Sequence, residues 1–188
     1  MSEFWEAASA IGTCAAVVVA LGFSYRAVVD SRKIEKDRAD LAAARMHGPV
    51  SFLETQVSLL HAWLIFNDDD YESSDPQLFA LVDEIDSAAL KITNEDLYQV
   101  LGLPGHAAKR LARALGLIHI FAAEVKYRLT QVSWNDNEAR IKRQSYKKWS
   151  DSASEIKDHL QIAVRRFESA AASGAPRPST EEIHGPED

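Results

Sequence analysis

The chain has 188 residues, with 21 Lys and Arg against 28 Asp and Glu for a net charge of −7, 46% hydrophobic residues and a single Cys. That is the size of about one ordinary domain with a packable core, and it excludes collagenous, low-complexity and disulfide-framework classes. A lone thiol makes no internal disulfide, and mild overall acidity gives no general reason to expect nucleic-acid binding.

Residues 7–25 are nineteen consecutive positions without a formal charge. As a helix they rise roughly 28 Å, close to a hydrocarbon core of about 30 Å. Ile11, Val17, Val18, Val19, Leu21 and Phe23 supply the apolar content, diluted by alanines, Gly12 and Gly22. One central Arg or Asp would cost about 2.5–3.5 kcal/mol on an insertion scale, so the missing charge decides for a transmembrane anchor over residues 1–26. Phe4, Trp5, Phe23 and Tyr25 stand at its two ends, where rings favour the membrane interface. No Lys or Arg precedes the span, whereas Arg26, Arg32, Lys33, Lys36 and Arg38 follow it. The positive-inside bias then places the N-terminus outside and the rest in the cytoplasm, and the missing basic start argues for an uncleaved anchor. Ala8, Gly12, Ala16, Ala20 and Ser24 recur at every fourth position and form one small-residue face. That ladder either drives homo-association of anchors or simply follows from the abundance of Ala.

Charges of both signs are interleaved from residue 27 to 48, which reads as a helical stalk ended by Gly48-Pro49. A helical period resumes with Leu53, Val57, Leu60 and Leu64, flanked by Phe52, Trp63 and Phe66. Residues 68–75 read as an acidic loop closed by Asp75 as N-cap and Pro76 at the first helical position. Leu78, Val82, Ile85, Ala89 and Ile92 give the next stripe, and Thr93-Asn94-Glu95-Asp96 resembles a capping box opening a short helix. Two longer helices follow. One carries Leu111, Leu115, Ile118, Ala122, Val125, Leu129 and Val132; the other carries Ile141, Ser145, Trp149, Ser152, Ile156, Leu160, Ala163 and Phe167. A turn is expected at residues 134–137, and residues 173–188 look disordered. The expected fold is all-α: a transmembrane helix running into a stalk, then an antiparallel bundle of about four helices over residues 49–172.

Charge is segregated: residues 68–96 hold ten acids and one Lys, residues 109–148 ten bases and three acids. One reading pairs the acidic and basic helices with each other. The other takes Arg140, Lys142, Arg143, Lys147 and Lys148 as a basic patch for anionic lipid or nucleic acid. The acidic run at 68–75 lacks the Gly and terminal Glu of a calcium loop. His47, His61, His106, His119, His159 and His184 show no zinc spacing, and no nucleophile elbow, Walker loop or dinucleotide fingerprint is present. Neither a metal nor a cofactor is expected, although a nucleophilic triad assembled in space would leave no motif.

The opening from Phe4 to Thr13, the Val/Ala-rich span, Tyr25-Arg26 and the charged stalk together resemble small bacterial or phage membrane proteins with one N-terminal anchor. The resemblance covers about 45 residues. It implies a prokaryotic inner membrane and transfers no catalytic residue. The expected function is therefore a non-enzymatic, membrane-anchored cytoplasmic module whose partners are the bilayer and either another protein or a second copy, with Trp63, Tyr71, Trp134, Tyr146 and Trp149 as candidate contacts. The alternatives are a membrane-disrupting or pore-assembling effector of phage conflict, a motif-free hydrolase or nuclease, and a wholly soluble bundle.

Overall fold

The computed structural model describes residues 2–66, 71–135, 139–174, 178–179 and 182–183, with side chains described from Val18 onward except at 67–74 and 135–138. All the described regular structure is helical: α1 (Ser2–Phe66), α2 (Tyr71–Leu90), α3 (Asn94–Gln99), a 3-10 turn (Pro104–His106), α4 (Ala107–Thr130), α5 (Val132–Asn135) and α6 (Ala139–Gly174). The chain divides into two compact units, residues 1–38 and 39–188.

In residues 1–38 the described side chains begin with an apolar run that meets no partner. Val18, Val19, Leu21, Phe23 and Tyr25 are all exposed, and so are Val28, Val29 and Ile34. Among the described residues no helix is long and apolar enough to cross a membrane. Most of the uncharged stretch, residues 7–17, lies outside the residues whose side chains are described.

Residues 39–188 form a helical bundle with one contiguous core. Heptad-like spacing builds it. Ala43, Met46, Val50, Leu53, Val57, Leu60 and Leu64 of α1 alternate steps of three and four, as do Leu111, Leu115, Ile118, Ala122 and Val125 of α4, and all are buried. Cross-links show the directions. Between α4 and α6, Arg113 pairs with Glu155 at 3.4 Å and Glu124 with Lys148 at 2.8 Å, so the two run antiparallel. Lys126 reaches Asp83 at 2.7 Å and His119 reaches Asp86 at 2.7 Å, so α4 is antiparallel to α2 as well. Glu54 meets Gln161 at 3.3 Å and Trp63 meets Tyr146 with centroids 6.1 Å apart, which sets α1 antiparallel to α6.

Four expectations change. Gly48-Pro49 does not end the helix: Pro49 sits inside α1. An interior proline costs about 3 kcal/mol, but Met46, Val50 and Leu53 carry the core seam straight through it and outweigh that loss. The boundary expected at residue 48 moves back to 39 for the same reason, since Ala39, Ala42, Ala43 and Met46 are buried. Helix α2 opens at Tyr71, so Asp75 and Pro76 lie within it, Pro76 inside the helix and Asp75 bonded elsewhere than to a helix end. In the first turns of α6 the core face is Lys142 and Tyr146, with Ile141 exposed and Ser145 half-buried.

The capping box forms as expected. Asp96 accepts from the Thr93 amide at 3.0 Å, and the Asp96 amide donates to the Thr93 hydroxyl at 3.2 Å. Gly105 has φ +69 and packs against Arg166, where a Cβ would come within 2.7 Å of the guanidinium. Only Gly fits that turn without strain. Of the tail at 173–188, Ser173 and Gly174 complete α6, Ser179 and Glu182 exchange hydrogen bonds of 2.7 and 3.2 Å, and the acidic end from 184 lies outside the described residues.

Candidate functional site

One end of the bundle gathers its aromatic residues around a carboxylate. Asp75 comes from the opening of α2, Trp134 from α5, Tyr146 and Trp149 from α6, and Trp63 from the last turns of α1. Trp134 donates its indole N–H to one Asp75 oxygen at 2.6 Å and Tyr146 donates its hydroxyl to the other at 2.7 Å. Both bonds are charge-assisted and short. The rings stack loosely, Trp134 on Trp149 with centroids 5.5 Å apart and Tyr146 on Trp149 at 5.3 Å. Lys142 closes the cluster: it is 5% exposed, with its ammonium 5.5 Å from the Trp134 ring centre. The indole N–H of Trp149 is the buried polar side-chain atom without a partner among the described residues. Chemically this is a clamp, because each Asp75 oxygen already holds a neighbour and the rings occupy the interior.

A second polar cluster lies on the flank shared by α2 and α4. Lys126 bridges Asp83 at 2.7 Å and Asp86 at 3.0 Å, and Asp86 also bonds His119 Nδ1 at 2.7 Å. Burial pushes the Asp86 carboxyl up, yet hydrogen bonds from His119 and Lys126 and the lysine charge outweigh it and hold the group below its usual range. The hydrogen bond to Asp83 leads those that raise the Lys126 ammonium, against a smaller opposing effect of burial. A histidine on a carboxylate is the geometry of a general base. Among the described residues, however, no hydroxyl or thiol bonds to His119, and no group of three or more His, Cys, Asp or Glu side chains could hold a metal ion. His61, facing Lys157 at 3.4 Å, is lowered first by burial and then by that lysine's charge.

The basic patch is divided by the fold. Arg140, Arg143 and Lys147 are exposed, Lys142 turns inward onto Trp134, and Lys148 pairs with Glu124. Of the small-residue ladder, Ala20 and Ser24 are exposed, while Ala8, Gly12 and Ala16 lie outside the residues whose side chains are described. The candidate aromatic contacts separate similarly: Trp134, Tyr146 and Trp149 are core, Trp63 is half-buried, and the Tyr71 side chain is outside the described set. Phe52 and Phe66, beside the core stripe of α1, are exposed instead, together with Leu59. Their seven-residue spacing was the available signal for a second face.

Between α1 and the close of α2 lies a groove of about 370 Å³. Met46, Pro49, Phe52, Ala88 and Ile92 line it, with Arg45, Lys91 and Asp96 at its polar edge. Gly48 helps to open it, since a Cβ there would meet nothing within 4 Å. Arg45 and Asp96 pair across it at 3.7 Å.

No family model, curated protein or solved structure matches this chain.

Proposed function

We propose that the chain is a membrane-anchored, non-enzymatic helical module that brings its bundle to a protein partner or a second copy at a bacterial inner membrane, with the N-terminus outside. The observation that carries this reading is the unpartnered apolar run at Val18, Val19, Leu21 and Phe23. Successive helical residues are about 100° apart, so these side chains point in several directions around the helix. Covering one such side chain is worth roughly 1.5–3 kcal/mol, and one helix packed along a single face would leave the others in water. Lipid covers every face at once. The bases that follow, from Arg26 to Arg38, set the orientation. The non-enzymatic part draws on the way the prominent acids are engaged: Asp75 by two core rings, Asp86 by His119 and Lys126, and Asp96 by Thr93 and Arg45.

Carbonate extraction of membranes from cells expressing the full chain tests the anchor. Retention in the pellet is the expected result, together with protection of the C-terminal bulk from protease added outside spheroplasts. Release by carbonate, or digestion from outside, overturns the reading.

A further inference from the structure

His119 differs from the other described histidines in how its two ring nitrogens are placed. Nδ1 lies 2.7 Å from an Asp86 oxygen, whereas no donor or acceptor among the described residues engages Nε2. In His61 a lysine faces Nδ1 at 3.4 Å; in His159 an arginine faces Nδ1 at 3.4 Å and Glu155 lies 3.9 Å from Nε2. Among the described residues no carboxylate pairs with His47 or His106. Asp86 is kept ionised by its hydrogen bonds from His119 and Lys126, and a carboxylate only accepts. Nδ1 therefore carries the proton of the neutral ring, and the lone pair is on Nε2. Lys126 fixes the other Asp86 oxygen at 3.0 Å, so the carboxylate that orients the ring is itself oriented. Joining α2 to α4 does not require the histidine, because Lys126 alone bonds both Asp83 and Asp86.

The approach to Nε2 is open. The His119 side chain is 41% exposed. On the outward side of α4 its neighbours are Ala112, Gly116, Ile120, Ala123 and Tyr127, all exposed and none charged. At Gly116, one turn before the histidine, a Cβ would meet nothing within 4 Å. Asp86 lies on the Nδ1 side of the ring and Asp83 is occupied by Lys126, so an anion arriving over this face of α4 meets no carboxylate among these neighbours.

We propose that His119 is a phosphoacceptor whose Nε2 takes a phosphoryl group from an acyl phosphate. With no hydroxyl or thiol bonded to it among the described residues, the ring has nothing to deprotonate and acts as the nucleophile itself. The Nε2 lone pair attacks phosphorus, the N–P bond forms as the P–O bond to the acyl oxygen breaks, and the bonding pair leaves on the carboxylate. The Nδ1 proton stays where it is, and the positive charge that develops on the ring is met by Asp86. Phosphoryl transfer suits such a site because its loose transition state asks for positioning more than for covalent help. Acyl transfer would need donors for an oxyanion, and the flanking Gly116 and Ala123 side chains offer none. The transfer is stoichiometric, one group per chain, and the anchor plays no part in it.

The full chain in detergent, treated with acetyl phosphate, gives the test. Acid-labile phosphate on each histidine is followed by mass spectrometry, and the nitrogen that bears it is identified by phosphorus NMR. His119 is expected to be labelled on Nε2 at least about tenfold faster than His47, His61, His106 or His159 of the same chain. Equal rates at these histidines, label on Nδ1 of His119, or no label at all overturns the proposal. A parallel arm with an aspartyl phosphate dipeptide assigns the source: faster labelling there points to a protein side chain, slower labelling to a free acyl phosphate. Asp86→Asn keeps an acceptor for the Nδ1 proton but removes the charge. It should slow labelling at His119 at least about fivefold and leave the other histidines unchanged, a selective effect that a merely structural Asp86 would not produce. An undiminished rate at His119 in that variant, with the thermal midpoint showing it folded, overturns the pairing on which the proposal rests.

Discussion

Where α2 begins, three rings, Trp134, Tyr146 and Trp149, fill the interior of the bundle with half-buried Trp63 against Tyr146, and Asp75 holds two of them by hydrogen bonds. At the opposite end alanines are frequent in the core: Ala39, Ala43, Ala107, Ala108 and Ala170 are all buried, beside Val100, Leu103 and Phe167, and α6 ends with Gly174 close to Asp40. Large planar side chains can fill a space in several ways, so the wide end needs directional bonds to select one arrangement. Small side chains leave no such choice, and the narrow end is set by how closely backbones approach. The wide end should therefore be sensitive to chemistry and the narrow end to volume.

The sharpest way to break that contrast is Asp75→Ala, which removes the acceptor of the Trp134 N–H and loosens Tyr146. A loss of about 2–4 kcal/mol is expected, read from urea unfolding of the full chain in detergent. A loss below 1 kcal/mol would mean that ring packing alone fixes the wide end. At the narrow end, Ala43→Leu adds three carbons at a fully buried position and is expected to cost about 1–3 kcal/mol. Lys142→Met sharpens the comparison from the other side. It keeps the stem that covers Trp134, gives up the ammonium above the ring and relieves its burial, so the net change should stay within about 1 kcal/mol, with Lys142→Ala costing more.

The smallest effect lies between the ends, at His61. Its pKa in the fold is below the ordinary value of 6.5, so the unfolded chain takes up the proton first as pH falls. The stability His61 contributes is complete above 6.5 and declines as pH drops through its lowered pKa. His61→Gln should flatten the stability profile in that window, and an unchanged slope between neutral and mildly acidic pH would assign the decline to other groups. Asp86 behaves with the same sign at lower pH, since it too is held below its ordinary value.

The helical period made the α4 stripe from Leu111 to Val125 legible in the chain itself, as it did the α6 stripe from Trp149 to Phe167, because aliphatic spacing there coincides with burial. The pairing of acidic and basic helices was legible in part: α2 and α4 do meet through Asp83, Asp86 and Lys126. What sequence patterning could not show is where side chains of mixed character turn. Lys142 reads as a surface base, yet its aliphatic stem suits a ring face. Asp75 reads as a cap, yet its partners are 59 and 71 residues away in the chain. Pro49 reads as a stop because local preference is against it, and only the tertiary seam on either side shows why the helix continues. The outer stripe at Phe52, Leu59 and Phe66 was present in the spacing, but a hydrophobic pattern alone does not reveal which of two stripes a bundle will cover.

Pro49 has a mechanical consequence. Having no amide hydrogen, it gives the Arg45 carbonyl no rung in the helical ladder, and its neighbour Gly48 adds the residue with the most freedom to gain on release. Tension drawn along α1 from its N-terminal side would concentrate at that missing rung. The helical ladder of α1 is one hydrogen bond short between 45 and 49, and the buried seam of Met46, Val50 and Leu53 is what holds the two sides in line.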